Sequence, residues 1–305
     1  MEDRRPEDSM LDDLPKLGLF QAVPMHPGRG GGPVGTYLSS TEFPCAENGV
    51  PRGGPAAESV ERAIAVRSIL TRICEHFESG DASLNSGEID GILRRCDSTR
   101  VIEKDCSPLT SDDVVRVRAL ITDPRRAVWI GNLVAETALR RLCWETCAEE
   151  GREEIHVQTL NGKTEIRQIP VFFGLAFYRN DLMAVSRREE SLAGAEVSSS
   201  GGARIALDRR RGNALASHEI LALWNKGESL SANLVAVVPG PVSVCFRVPS
   251  RIADGGDFEV CRSLKLGRDG RPRLRIDTCL AVELSIGSVS SCAVVRDLAV
   301  KGEAR

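Results

Sequence analysis

Apolar residues recur at helical spacing over Val60, Ala63, Ile64, Ile69, Leu70, Ile73 and Phe77, and Gly80 supplies a stop. Asn85 with Glu88 has capping-box spacing for a short helix ending near Cys96. Thr110-x-x-Asp113 opens another helix that ends near Ile121, with the hydroxyl and carboxylate each reaching a backbone N–H. Asp123-Pro124 predicts a further start, because a carboxylate caps and proline suits the first helical position. That helix is expected to reach about Glu150, with Gly151 beyond its end. Residues 58–151 therefore read as a helical segment.

From residue 152 to 305 the period changes from helical to alternating. Asn161-Gly162, within 159–164, is a hairpin signal, since both residues tolerate the positive φ angles of a tight turn. The run Pro170–Tyr178 is apolar on both faces, as in a central strand. Strands are also predicted over 233–238 and 242–248 around Pro239-Gly240, then over 258–266, 274–284 and 292–300. The expected fold class is α+β: an N-terminal disordered arm, a helical segment, then a mainly antiparallel β-sandwich or jelly-roll-like domain.

One hairpin can be registered by arithmetic. Leu274, Ile276, Leu280, Val282 and Leu284 occupy even positions, whereas Arg273, Arg275, Asp277 and Glu283 occupy odd ones. A side-chain period of two sends the first set to the core and the second to water. Setting Leu264 opposite Leu274 requires an odd loop, which Arg268-Asp269-Gly270 satisfies. A two-residue Asp-Gly turn instead sets Leu266 against Arg273 and places a charge on the core face. The favoured register pairs Lys265 with Arg273 and Ser263 with Arg275, with Arg268 and Arg271 near the tip. Like charges placed opposite each other destabilise a sheet unless an anion visits them. The expected polyanion-binding residues are Lys265, Arg268, Arg271, Arg273 and Arg275, with Arg209, Arg210 and Arg211 as further contributors. The competing reading is a solvated face partly neutralised by Asp269, Asp277 and the acidic arm.

Residues 1–57 are crowded with proline and glycine and show no sustained period, so they read as a disordered acidic arm. Within it, Leu11, Leu14, Leu17, Leu19 and Phe20 are expected either to dock on a partner groove or to fold back on their own domain. Ser198–Gly202 reads as a mobile loop.

Composition then narrows the function classes. The chain has 305 residues, of which 42% are hydrophobic and 27% charged, so a packed core is expected. Its net charge of −3 excludes a uniformly basic coat. That charge is uneven: 5 Lys/Arg against 8 Asp/Glu over 1–57, 13 against 17 over 58–150, and 22 against 18 over 151–305. Aromatics are only 4%, which disfavours base stacking as the main grip. Without a signal-peptide or membrane-length apolar run, the expected location is intracellular and cytoplasmic, with nuclear entry open. The ten cysteines then read as thiols, with Cys245, Cys261, Cys279 and Cys292 in strand patterns.

Catalytic chemistry is sparsely signalled. The histidines are His26, His76, His156 and His218, and no Gly-x-Ser-x-Gly occurs. Cys143, Cys147 and His156 lack a fourth ligand for zinc. Gly28–Gly35 lacks the Lys-Ser/Thr of a phosphate loop, and Asp81–Ile92 ends on isoleucine where a calcium loop needs glutamate. No lysine has a glutamate two residues before it, as a metal-nuclease strand requires. No cofactor or metal is expected. The expected function is a non-enzymatic binding or assembly protein whose basic β face engages nucleic-acid backbone, RNA in particular, or an anionic membrane surface; self-association fits the same reading. A protein–protein adaptor working through residues 11–20 is the alternative, and an enzyme with an unrecognised site the third. In architecture alone, the chain resembles the β-sandwich matrix, capsid-like and movement proteins of viruses.

Overall fold

The computed structural model describes residues 19–22, 31–44, 54–84, 87–148, 150–158, 164–187, 214–248, 259–266 and 271–302. The fold is α+β, with two mainly antiparallel or mixed sheets. The chain forms two compact units, each assembled from segments distant in sequence. One comprises 1–97, 155–167 and 238–291, and the other 98–154, 168–237 and 292–305. These units group the chain by contact, whereas the division into 1–57, 58–151 and 152–305 follows the period along the sequence.

In the first unit, helix α1 (Gly54–Ser79) buries Ile69, Ile73 and Phe77, three residues one turn apart. It ends where Gly80 N–H bonds back to the His76 carbonyl. A single turn, α2 (Ile92–Arg95), closes on Cys96. The sheet holds β1 (Phe20–Ala22), β2 (Gly31–Pro44), β10 (Val244–Val248), β11 (Glu259–Leu266) and β12 (Pro272–Ile286). The long β12 is central. β11 and then β10 follow one another along one of its sides, and β2 runs along the other. Helix α1 packs against β2 and β12.

Two segments of the expected arm are thus strands. The alternation of Val34, Thr36, Leu38, Ser40 and Glu42 with Gly35, Tyr37, Ser39, Thr41 and Phe43 does not separate apolar from polar residues. β2 is defined by the backbone ladder that β12 offers it, not by a local pattern. Gly35 also admits a close approach. A Cβ there would lie 2.9 Å from the Ile89 backbone nitrogen, so only glycine lets the segment after α1 rest on β2.

The second unit centres on the order β3-β13-β9-β4-β7-β6-β5, with β8 also beside β9. These strands are β3 (Val101–Glu103), β4 (Val128–Gly131), β5 (Glu150–Gln158), β6 (Thr164–Phe172), β7 (Leu175–Arg179), β8 (Val185–Arg187), β9 (Ser229–Val237) and β13 (Cys292–Lys301). The 155–167 portion of the β5–β6 pair is counted with the first unit. Helix α3 (Ser111–Leu120) carries the Thr110–Asp113 capping box that its spacing predicts. Helices α4 (Leu133–Thr146) and α5 (Ser217–Asn225) belong to the same unit. Both α3 and α4 pack against β13.

Two expectations are corrected here. Asp123-Pro124 starts no helix. β4 intervenes, and α4 begins after Asn132, whose Oδ1 accepts the N–H groups of Val134 and Ala135. A buried cap on a residue leaving a central strand outranks a half-buried Asp-Pro signal, because the strand must be completed first. Pro170–Tyr178 is likewise not one strand. Phe173 (φ 53°) and Gly174 (φ 75°) form a tight turn between β6 and β7. Phenylalanine rarely takes a positive φ, so the turn was not visible in the pattern. The Asn-Gly tip between β5 and β6 and Ser198–Gly202 lie outside the described residues.

Candidate polyanion-binding face

The predicted register is observed. Leu264 lies opposite Leu274, Lys265 opposite Arg273 and Ser263 opposite Arg275. Ile276, Leu280, Val282 and Leu284 are buried, as their even positions require. Lys265 and Arg271 are exposed, and Arg273 and Arg275 are half-buried on the opposite face of β12. Glu283 departs from the alternation: expected in water, it is buried where β10 replaces β11 beside β12 and Arg247 is its cross-strand neighbour.

β2 changes the electrostatics of this face. It sets Glu42 opposite Arg275 and Ser40 opposite Asp277. Arg275 donates from Nε to Asp277 Oδ1 at 2.7 Å and from Nη2 to Ser40 Oγ at 2.9 Å, and the Ser40 hydroxyl donates to Asp277. Hydrogen bonds from Ser40 and Arg275 hold the Asp277 carboxyl below the usual range, and Asp277 pushes the Arg275 guanidinium up. Arg275 is thus neutralised by Asp277 with Glu42 nearby, and the charge of Lys265 also acts on Asp277. Arg268, Arg209, Arg210 and Arg211 lie outside the described residues.

The docking segment divides in the same way. Leu11, Leu14 and Leu17 lie outside the described residues. Leu19 is fully buried and its carbonyl accepts the Phe246 N–H, while Phe20 continues into β1, parallel to β10. At Leu19–Ala22 the chain folds back on its own sheet, so Leu19 is not open to a partner groove.

Sequence reading missed two polar clusters. In the first unit the Ile89 N–H donates to the Tyr37 hydroxyl, which also shares a hydrogen bond with His76 Nδ1 at 2.9 Å. His76 Nε2 lies 3.5 Å from Glu88 Oε1, and Arg72 sits over the Tyr37 ring. Burial pushes the His76 imidazolium down, partly opposed by Glu88 and Glu75 and aided by Arg72. A His whose folded pKa lies below its unfolded value binds fewer protons when folded, so stability falls as pH drops below about 6.5. Urea midpoints from pH 8 to 5 are expected to fall more steeply for the native chain than for His76→Gln. Equal slopes would refute the assignment.

In the second unit, Arg179 donates from Nε to Asp181 Oδ1 at 2.7 Å and from Nη2 to Ser217 Oγ. Arg140 donates to Glu136 at 3.1 Å and to Glu150 at 2.5 Å. Glu136 Oε2 is buried 3.9 Å from Arg179 Nη1, without a hydrogen-bond partner of its own among the described residues. These partners come from four elements and the loop after β7, so no local spacing announced them. Among the described residues, no group of three His, Cys, Asp or Glu side chains is placed to hold a metal. His218 is exposed, Cys143 is buried and Cys147 exposed, whereas His26 and the His156 side chain are not described. No helix among the described residues is long and apolar enough to cross a membrane.

Comparison with known proteins places the chain in no established class. No family model matches it, and no curated protein does. Among solved structures it is similar to a chain of the satellite phage P4 procapsid including size determination (Sid) protein, at 11% identity and TM-score 0.37, covering 86% of this chain and 71% of that one. It is also similar to a chain of Mycobacterium phage Ogopogo, at 13% identity and TM-score 0.44, covering 95% of this chain and 92% of that one. Likeness of this extent assigns neither family nor function.

Proposed function

We propose that the chain is a non-enzymatic binding and assembly protein whose outer β11–β12 face takes up the phosphates of a polyanion, RNA backbone in particular, without sequence preference. The observation that carries this reading is the juxtaposition of Lys265 and Arg273, with Arg271 beside them, on a face turned to solvent. Like charges held opposite each other repel, and a bound phosphate lowers that repulsion. Counterion release supplies the affinity.

Gel shifts on random-sequence RNA test the reading. Binding is expected to weaken steeply between ~50 and ~200 mM salt. A K265Q/R271Q/R273Q protein is expected to lose roughly 2 from the slope of log K against log salt, about 0.7 for each cation on single strands. Arg275→Gln is expected to do less, because Asp277 and Ser40 already engage that guanidinium. An unchanged slope in the triple variant rejects the face. Flotation with anionic vesicles but no RNA shift assigns it to a membrane surface instead.

A further inference from the structure

We propose that β2 pairs edge to edge with β2 of a second copy of this chain, antiparallel, about a two-fold axis at Ser40. The inference rests on the assembly reading above and names its contact. β2 is 14 residues long and pairs with β12 on one side. Among the described residues no strand lies along its other side. Two hydrogen bonds fix which groups point that way: Thr36 N–H donates to the Gly87 carbonyl at 3.1 Å, and the Leu38 carbonyl accepts Arg72 Nη1 at 3.4 Å. Backbone direction alternates along a strand, so the N–H and C=O groups of Leu38, Ser40 and Glu42 face outward, while those of 37, 39, 41 and 43 bond to β12.

This outward row is self-complementary. An axis at Ser40 sets Leu38 against Glu42 of the second copy, Ser40 against Ser40, and Thr36 against Pro44. Thr36 has already committed its N–H, and proline has none to give. The ladder therefore stops at the same register from both ends, leaving Leu38–Glu42 as the paired stretch, in which the Leu38 carbonyl uses the lone pair that Arg72 does not take. No like charges meet, because Glu42 faces Leu38. The exposed Leu38 side chain, 60% accessible, gains cover from the incoming strand. So short a ribbon is weak alone, and it gains strength when several such contacts act together in an assembly.

Directly opposed residues in such a ladder have Cα atoms about 5.5 Å apart, within disulfide range. Oxidising full-length Ser40→Cys at high protein concentration is expected to give a covalent dimer whose linked peptides map to position 40 in both chains. Glu42→Cys is the control, because its two copies lie about 14 Å apart in this register and do not join. Leu38→Pro removes an outward N–H without touching the β12 ladder and is expected to abolish concentration-dependent dimerisation in sedimentation. Should that variant fail to fold, Ser40→Cys still decides. No 40–40 link, or an equal 42–42 link, overturns the pairing. Gel shifts on the native chain run alongside: intact RNA binding there, with no 40–40 link in the Ser40→Cys protein, would show that the edge contact had failed and the basic face had not.

Discussion

Replacing Asp113 by alanine is expected to destabilise the chain by about 3–5 kcal/mol, the range for removing one partner of a buried ion pair. Asp113 is buried in the first turn of α3. Its Oδ2 accepts the Lys104 ammonium at 2.6 Å, the Thr110 N–H at 2.9 Å and the Thr110 hydroxyl at 2.6 Å. Lys104 is half-buried with its side chain 12% accessible, so truncating Asp113 strands a largely covered cation as well as losing the cap. Burial pushes the Asp113 carboxyl up, but the hydrogen bonds from Lys104 and Thr110 outweigh it and hold the group below the usual range. A depressed carboxyl stabilises fully above its unfolded pKa and loses that contribution as pH falls, here from about pH 5 downward. Urea unfolding at pH 7 and in acid checks both expectations. Lys104→Met combined with Asp113→Ala is expected to recover part of the loss, because the stranded charge is gone. If the single change costs under 1 kcal/mol, Lys104 is not a buried partner.

The second large effect is expected at Asn132, which is fully buried between β4 and α4. Its Oδ1 caps the Val134 and Ala135 N–H groups at 3.0 and 3.2 Å. Its Nδ2 donates to the Met183 and Ala184 carbonyls at 3.3 and 3.1 Å. Alanine removes the cap, worth about 1 kcal/mol, and leaves buried carbonyls without this donor at about 1–3 kcal/mol more. A total near 2–4 kcal/mol is expected from chemical denaturation. Asn132→Asp separates the two roles, since it keeps the capping oxygen while turning a second oxygen toward the carbonyls. Asp is therefore expected to rescue little. Full rescue would mean that the cap alone matters.

These two positions differ in how much of them was legible. The Thr110–Asp113 box is a local motif, and helix α3 follows it closely. Its lysine partner lies before the motif, beyond β3, and nothing in the spacing marks Lys104 for burial. Asn132 was hidden because a nearby Asp-Pro offered a stronger start signal and the strand that overrides it is only four residues long. The basic face divides similarly. Lys265, Arg273 and their register followed from the side-chain period and the parity of a loop. Glu42 and Ser40, which temper the face, arrive on a strand with no amphipathic alternation.

The sequence by itself determined the change from helical to alternating period, the buried stripe of α1, the box at α3 and the pairing of β11 with β12. Each depends on residues close along the chain, where side-chain spacing maps directly onto backbone geometry. Only the tertiary structure decided that Gly31–Pro44 is a strand, that among the described residues no strand lies along its outer side, and that Lys104 meets Asp113. The reason is that backbone N–H and C=O groups are identical at nearly every residue. A long central strand can therefore recruit a neighbour whose side chains carry no signal, and the recruited strand brings its charges and its unpaired edge with it.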